Sequence, residues 1–279
     1  MRATLLAAAL AAAAPAQDAS PARTVAHDAA VHLARDVGSR PAASRAERRA
    51  HRWVARRFAA AGLDVRTTPF AVPGKGRSRN VVGVRDGPRR CLKVVMAHAD
   101  SVDAGPGAND NASGVGVVVA LAGRLDAIRP PCDVWLVATG AEERPYTGAA
   151  DHLGARALVR ELRRRRAARR LRYALSLDMV GRGRRFQLRS PRPRPRPGVE
   201  RELLAAGRRR GVPLRWLRDS GSGNSDHREL ELAGLPGLVL QVWRGEDACY
   251  HRACDGWRRL QPAALARVQG LAESVLRRR

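Results

Sequence analysis

The stretch from His98 to Gly114, H-A-D-S-V-D-A-G-P-G-A-N-D-N-A-S-G, concentrates side chains that could do chemistry. A histidine and three acids (Asp100, Asp103 and Asp110) follow the apolar run Val94-Val95-Met96-Ala97, which reads as a fully buried strand. A loop of glycine and proline comes next, and a helix opens at Ser113. Imidazole and carboxylates at the C-terminal mouth of a buried strand build a poor core, but they hold a hard or borderline cation well. Ligands of open α/β sheets bind at that mouth.

The same chemistry recurs at three later strand ends. Glu142 and Glu143 follow the run Val134 to Thr139, Asp178 closes the run 172–178, and His251 follows the run 237–243. Adding Asp110 makes two histidines and three carboxylates, with one carboxylate to spare. That inventory suits two zinc ions about 3.5–4 Å apart. The spare glutamate can take a proton from an activated water and return it to a leaving amine. A single acid is more often a surface charge than a ligand. Its repetition at successive strand ends is what gives the pattern weight.

The elements that must position these residues alternate. Strands are predicted over 92–97, 133–138 and 172–178, with helices over 113–127 and 149–166 between them. Such units imply an α/β fold, a three-layer α/β/α sandwich around a mixed, centrally parallel sheet. Upstream, apolar spacing predicts a helix over 24–36, and Ser44-x-x-Glu47 is a capping box for a second helix closed by Gly62. β-like runs at 64–70 and 79–84 flank Pro73-Gly74-Lys75-Gly76. Shorter runs follow at 185–189, 214–218 and 237–243, with a helix near 199–210 and a last one opening at Pro262. The segment Ser190 to Pro197 alternates proline and arginine and is expected to be an exposed extended loop. No linker divides residues 17–279, which read as one domain.

Residues 1–16 resemble a secretory signal: Arg2, an apolar segment from Leu5 to Ala14, and Ala14-Pro15-Ala16 as cleavage site. That segment is too short to span a bilayer, and no other uncharged stretch approaches the length. The mature chain is expected to begin at Gln17 and to be secreted, extracellular or periplasmic. Export makes the four cysteines disulfide candidates. Cys249 and Cys254 bracket His251. Cys91 and Cys132 start two strands whose parallel pairing would bring their Cα atoms within one strand spacing, roughly 5 Å.

The net charge of +26 is almost all arginine, Lys75 and Lys93 being the only lysines. No recognition motif accompanies it, so a specific nucleic-acid partner is not implied. The charge alone implies weak attraction to anionic surfaces. No feature of the sequence sets an oligomeric state.

The fragments A-H-A-D-S, P-G-A-N-D-N-A-S-G, G-A-E-E-R, L-D-M-V-G, N-S-D-H and C-Y-H-R-A-C-D together resemble the secreted bacterial di-zinc aminopeptidases. That zinc exopeptidase group also includes glutamate carboxypeptidases, glutaminyl cyclases and the transferrin-receptor ectodomain. The resemblance implies a zinc-dependent peptidase that acts on peptides with a free N-terminus. It implies that Asp110 bridges two zinc ions, His98 and Asp178 completing one site and Glu143 and His251 the other. It makes Glu142 the general base, has Asp100 orient His98, and places Tyr250 on the developing oxyanion. A cis peptide at Asp110-Asn111 is also implied.

Ser225-Asp226-His227 superficially suggests a serine hydrolase. The G-x-S-x-G elbow is missing and triad residues sit apart in sequence, so Asp226 and His227 are read as a loop that backs the metal ligands or lines the substrate pocket, not as ligands themselves. His27, His32, His51 and His152 read as surface or core residues. Three alternatives stay open: a glutaminyl-cyclase-like or carboxypeptidase-like member, a metal-free binding ectodomain, and a polyanion binder.

Overall fold

A computed structural model describes residues 24–144, 151–219, 225–243 and 245–278. The signal-like residues 1–16 and positions 149–150 of the helix expected over 149–166 lie outside them. Eight strands form one sheet: β1 (Asp64–Val72), β2 (Gly76–Arg85), β3 (Arg89–His98), β4 (Cys132–Thr139), β5 (Leu171–Leu177), β6 (Phe186–Ser190), β7 (Leu214–Arg218) and β8 (Gly237–Val242). Their order is β1-β2-β4-β3-β5-β8-β6-β7. The central strands β4, β3, β5 and β8 are parallel. The hairpin β1–β2 joins one side antiparallel, and β6 turns against β8 on the other. The mixed, centrally parallel sheet is therefore as expected.

The helices are α1 (Val25–Val31), α2 (Arg45–Ala60), α3 (Ser113–Ala122), α4 (Leu125–Ile128), α5 (Leu153–Arg164), α6 (Glu200–Arg209), α7 (His227–Leu232) and α8 (Pro262–Arg277). Alternation along β3 divides its side chains between two cores. Val95 and Ala97 join α1, α2, α3, α6 and α8 on one face, while Val94 and Met96 join α5 and α7 on the other. This is the three-layer sandwich.

Local chemistry explains several boundaries. Ser44 Oγ accepts the Glu47 N–H at 3.0 Å, as the capping box requires. Glu47 reaches back to the Ala43 N–H instead of that of Ser44, at 2.7 Å, and also accepts from Ser78 and from the Ala141 N–H. The helix expected over 113–127 ends at Ala122, because Gly123 caps it and a separate turn, α4, follows. Gly114 lets α3 lie against β5, since a Cβ there would fall 2.2 Å from the Leu177 carbonyl oxygen. The helix expected over 24–36 is α1 continued by a wider turn over His32–Val37.

Cys91 and Cys132 are bridged, their Cα atoms 4.8 Å apart across the parallel pair β3–β4. Lys93 is buried on β3 and donates to the carbonyls of Val275, Leu276 and Arg278, which serves the C-terminal turn of α8. The proline–arginine segment is exposed at Arg192 and Arg194, but Arg196 is half-buried against Glu200 and Glu231. Among the described residues no helix is long and apolar enough to cross a membrane.

Candidate metal centre

Parallel strands end at one level, and that places the predicted residues together. His98 is the last residue of β3, Asp178 follows β5, Glu142 and Glu143 follow β4, and His251 follows β8. His98 Nε2 lies 3.2 Å from Asp110 Oδ1 and 3.5 Å from Asp178 Oδ1. His251 Nε2 lies 3.3 Å from Asp110 Oδ2 and 3.0 Å from Glu143 Oε2. Two three-donor groups therefore share Asp110, one oxygen facing each. Asp103, counted with the loop acids, is exposed and belongs to neither group.

The electrostatics favour positive charge at both positions. Burial pushes His98 down, yet Glu142 and the adjoining carboxylates outweigh it and hold the ring well above its ordinary value. Burial likewise opposes His251, which Asp110 and Glu143 raise to about 10. Burial and the neighbouring Asp110 push Glu143 up to about 8, and burial raises Glu142. Asp178 Oδ1 is buried and meets no donor in hydrogen-bonding geometry. Oxygen and imidazole donors of this kind fit a pair of borderline dications such as zinc.

The supporting frame is specific. Asp100 Oδ2 accepts the N–H groups of Glu142 and Glu143 at 2.9 and 3.1 Å. His98 Nδ1 lies 3.2 Å from the Asp100 carbonyl oxygen and 3.7 Å from its Oδ1. Asp255 accepts the N–H groups of Asn109 and Asp110 at 2.8 and 3.0 Å, and Arg182 pairs with both Asp255 and Asp247. The Asp110-Asn111 peptide is cis. The Cys249–Cys254 disulfide closes the loop that holds His251.

Several supporting residues carry no signal in the sequence. Arg40 is fully buried and donates to the carbonyls of Ala99, Leu33, Gly38, Pro106 and Gly107, which ties the His98–Asp110 loop to the wider turn after α1 and to Gly38. His152 Nε2 lies 3.3 Å from Glu142 Oε1, and its Nδ1 lies 3.5 Å from Glu229 Oε1. Burial opposes protonation of His152, but those two carboxylates raise it to about 10. Asp255 alone sat inside a recognisable motif, directly after Cys254.

A cavity of about 320 Å³ opens over the two groups, lined also by Met179, Arg189, Gln241, Trp243 and Tyr250. The Tyr250 ring stacks on His251 with centroids 3.8 Å apart, and 44% of the residue is exposed. Asp226 and His227, expected to back the ligands or to line the substrate pocket, are both buried and are not among the residues lining that cavity. Asp226 accepts from the Thr139 hydroxyl, and His227 Nε2 lies 3.1 Å from Asp219. Each side chain thus has one buried polar partner, while Asp226 Oδ1 and His227 Nδ1 meet none in hydrogen-bonding geometry. Burial, reinforced by the Glu142 carboxylate, pushes Asp226 up to about 7.

A sequence profile of Peptidase family M28 matches residues 80–276, well over half of the chain. The chain belongs to peptidase family M28. Aminopeptidase YwaD of Bacillus subtilis is 33% identical over 111 residues, covering 37% of this chain and 22% of the relative. Leupeptin-inactivating enzyme 1 of Streptomyces exfoliatus is 28% identical over 240 residues, covering 77% and 51%. This M28 chain thus spans about half or less of the length of the curated relatives it matches. A zinc aminopeptidase from Bacillus subtilis shares the fold with a TM-score of 0.80 at 17% identity, covering 90% and 93% of the two chains. A glutaminyl cyclase from an Acidobacteriales bacterium does so with a TM-score of 0.72 at 21% identity, covering 96% and 98%. At those identities the likeness is one of fold.

Proposed function

We propose that this chain is a zinc-dependent aminopeptidase that hydrolyses the bond after a free N-terminal residue. The carrying observation is Asp110, whose two oxygens face two different imidazoles, those of His98 and His251. Membership of family M28 and similarity to named aminopeptidases support the same reading.

His98, Asp110 and Asp178 would hold one zinc ion, and Asp110, Glu143 and His251 the other. Two such ions, when bound, supply Lewis-acid polarisation of the scissile carbonyl and acidify a water toward neutrality. Glu142, buried beside His98 and Glu143, accepts the proton from the attacking water and returns it to the departing amine. Asp100 fixes the backbone that carries Glu142 and Glu143, and its own carbonyl meets Nδ1 of His98. The Tyr250 hydroxyl donates to the oxygen that gains charge at the carbonyl. The cluster of acids receives the substrate's α-ammonium, which favours an exopeptidase. Two disulfides suit an oxidising compartment, so we place the mature protein outside the cytoplasm.

Metal analysis of the purified protein and hydrolysis of aminoacyl-p-nitroanilides test this together. The expected result is close to two zinc ions per chain, with activity lost on chelation and restored by zinc. N-acetylated peptides should resist. Cyclisation of N-terminal glutamine peptides, or zinc-independent turnover, would overturn the assignment.

A further inference from the structure

The cavity has a second polar end, opposite in sign to the acids. Arg189 lines it from β6, and among the described lining residues it is the one arginine or lysine. The antiparallel register places Arg189 opposite Val239 and Gln187 opposite Gln241. Alternation then puts Arg189, Gln187 and Gln241 on one face of the β6–β8 pair. β6 lies two strands beyond β5, which leads into Asp178, a lateral offset of roughly 10 Å. Arg215, on β7 and not among the lining residues, holds its guanidinium 5.1 Å from the ring centroid of Trp243, which does line the cavity.

Arg189 is held but not used up. Its Nη2 donates to Asp219 Oδ1 at 3.2 Å, and the side chain is 14% exposed. The other Asp219 oxygen faces His227 at 3.1 Å. A guanidinium carries five N–H donors in a fork matched to a carboxylate. Asp247, which also lines the cavity, is taken up by Arg182, Asn109 and the Cys249 N–H. An apolar side chain lodged against this wall would strip water from a cation and return nothing.

We propose that Arg189 binds a carboxylate of the substrate, so that the site selects dipolar peptide ends with the α-ammonium at the acids and an anionic group at β6. This rests on the aminopeptidase reading and deepens it. The carboxylate has two possible sources: the side chain of an N-terminal Glu or Asp, or the free C-terminus of a very short peptide.

Isosteric substrate pairs separate the sources. Wild-type enzyme is expected to prefer Glu-p-nitroanilide over Gln-p-nitroanilide by about tenfold or more in kcat/KM if the side chain is the ligand. It is expected to prefer Leu-Ala over Leu-Ala-amide by a similar factor if the C-terminus is. In Arg189→Gln the operative preference should collapse toward one. In Arg189→Lys, which keeps a point charge but loses the fork, it should fall partway. Absence of both preferences in the wild type, which requires no variant, overturns the proposal. So does a preference that survives Arg189→Gln. Should the zinc-loaded protein turn over no aminoacyl substrate, the peptidase reading falls by itself. Calorimetry with two pairs, glutamic acid α-amide against glutamine α-amide and Leu-Ala against Leu-Ala-amide, then decides the inference: tighter, Arg189-dependent binding of the acid in either pair supports it, and equal binding within both pairs overturns it.

Discussion

Nε2 of His152 stands 3.3 Å from Oε1 of Glu142, so the proposed general base is braced by a buried imidazole. Both residues follow β4, ten positions apart on the chain, and the His152 N–H donates to the Glu142 carbonyl at 3.1 Å. Glu142→Gln should keep two zinc ions and lose turnover by about 10²- to 10⁴-fold. His152→Gln should lower kcat by a smaller factor and leave KM nearly unchanged. Steady-state kinetics on zinc-quantified protein check both.

Asp110→Asn tests the shared position. A neutral amide offers one acceptor oxygen where two are needed, so zinc content should fall from two per chain to one or fewer. Activity should fall with it. Asp103→Asn is the control, since Asp103 is exposed and outside both donor groups; it should retain both ions. Elemental analysis after dialysis measures the difference.

Arg40→Met removes the cation that ties five carbonyls beneath the metal loop. Methionine matches much of the buried stem but satisfies none of those acceptors. The expected loss is about 3–5 kcal/mol, read as a lower denaturant midpoint in both zinc-loaded and zinc-free protein. A midpoint within error of the wild type would remove Arg40 from its structural role.

His51 gives stability a pH dependence of known sign. It is fully buried, and burial pushes it down to about 4, with Nε2 3.3 Å from the Thr139 carbonyl oxygen. Unfolded, it titrates near its ordinary value of about 6.5. Between those values the unfolded chain holds a proton that the folded chain refuses, so stability rises with pH across that window and drops on acidification. The contribution is about 3 kcal/mol between pH 7 and pH 4. His51→Gln should flatten that part of the profile, and denaturation midpoints at the two pH values measure it.

Residue order alone determined the strand–helix alternation, the parallel centre of the sheet, both disulfides and the set of candidate ligands. Periodicity, turn residues and short motifs act between neighbours, and a buried parallel strand announces its own C-terminal mouth. The boundaries slipped where one residue decides locally, as Gly123 does in ending α3. Tertiary structure decided what acts across distance. Arg40 meets the loop at Ala99 through Gly107, Asp255 accepts the Asp110 N–H from the far end of the chain, and Arg189 reaches the cavity from a strand two places beyond β5. Asp226 and His227 are buried, where Thr139 and Asp219 give each of them one partner. A side chain's chemistry is set by its type, but its partners are set by the path of the chain around it.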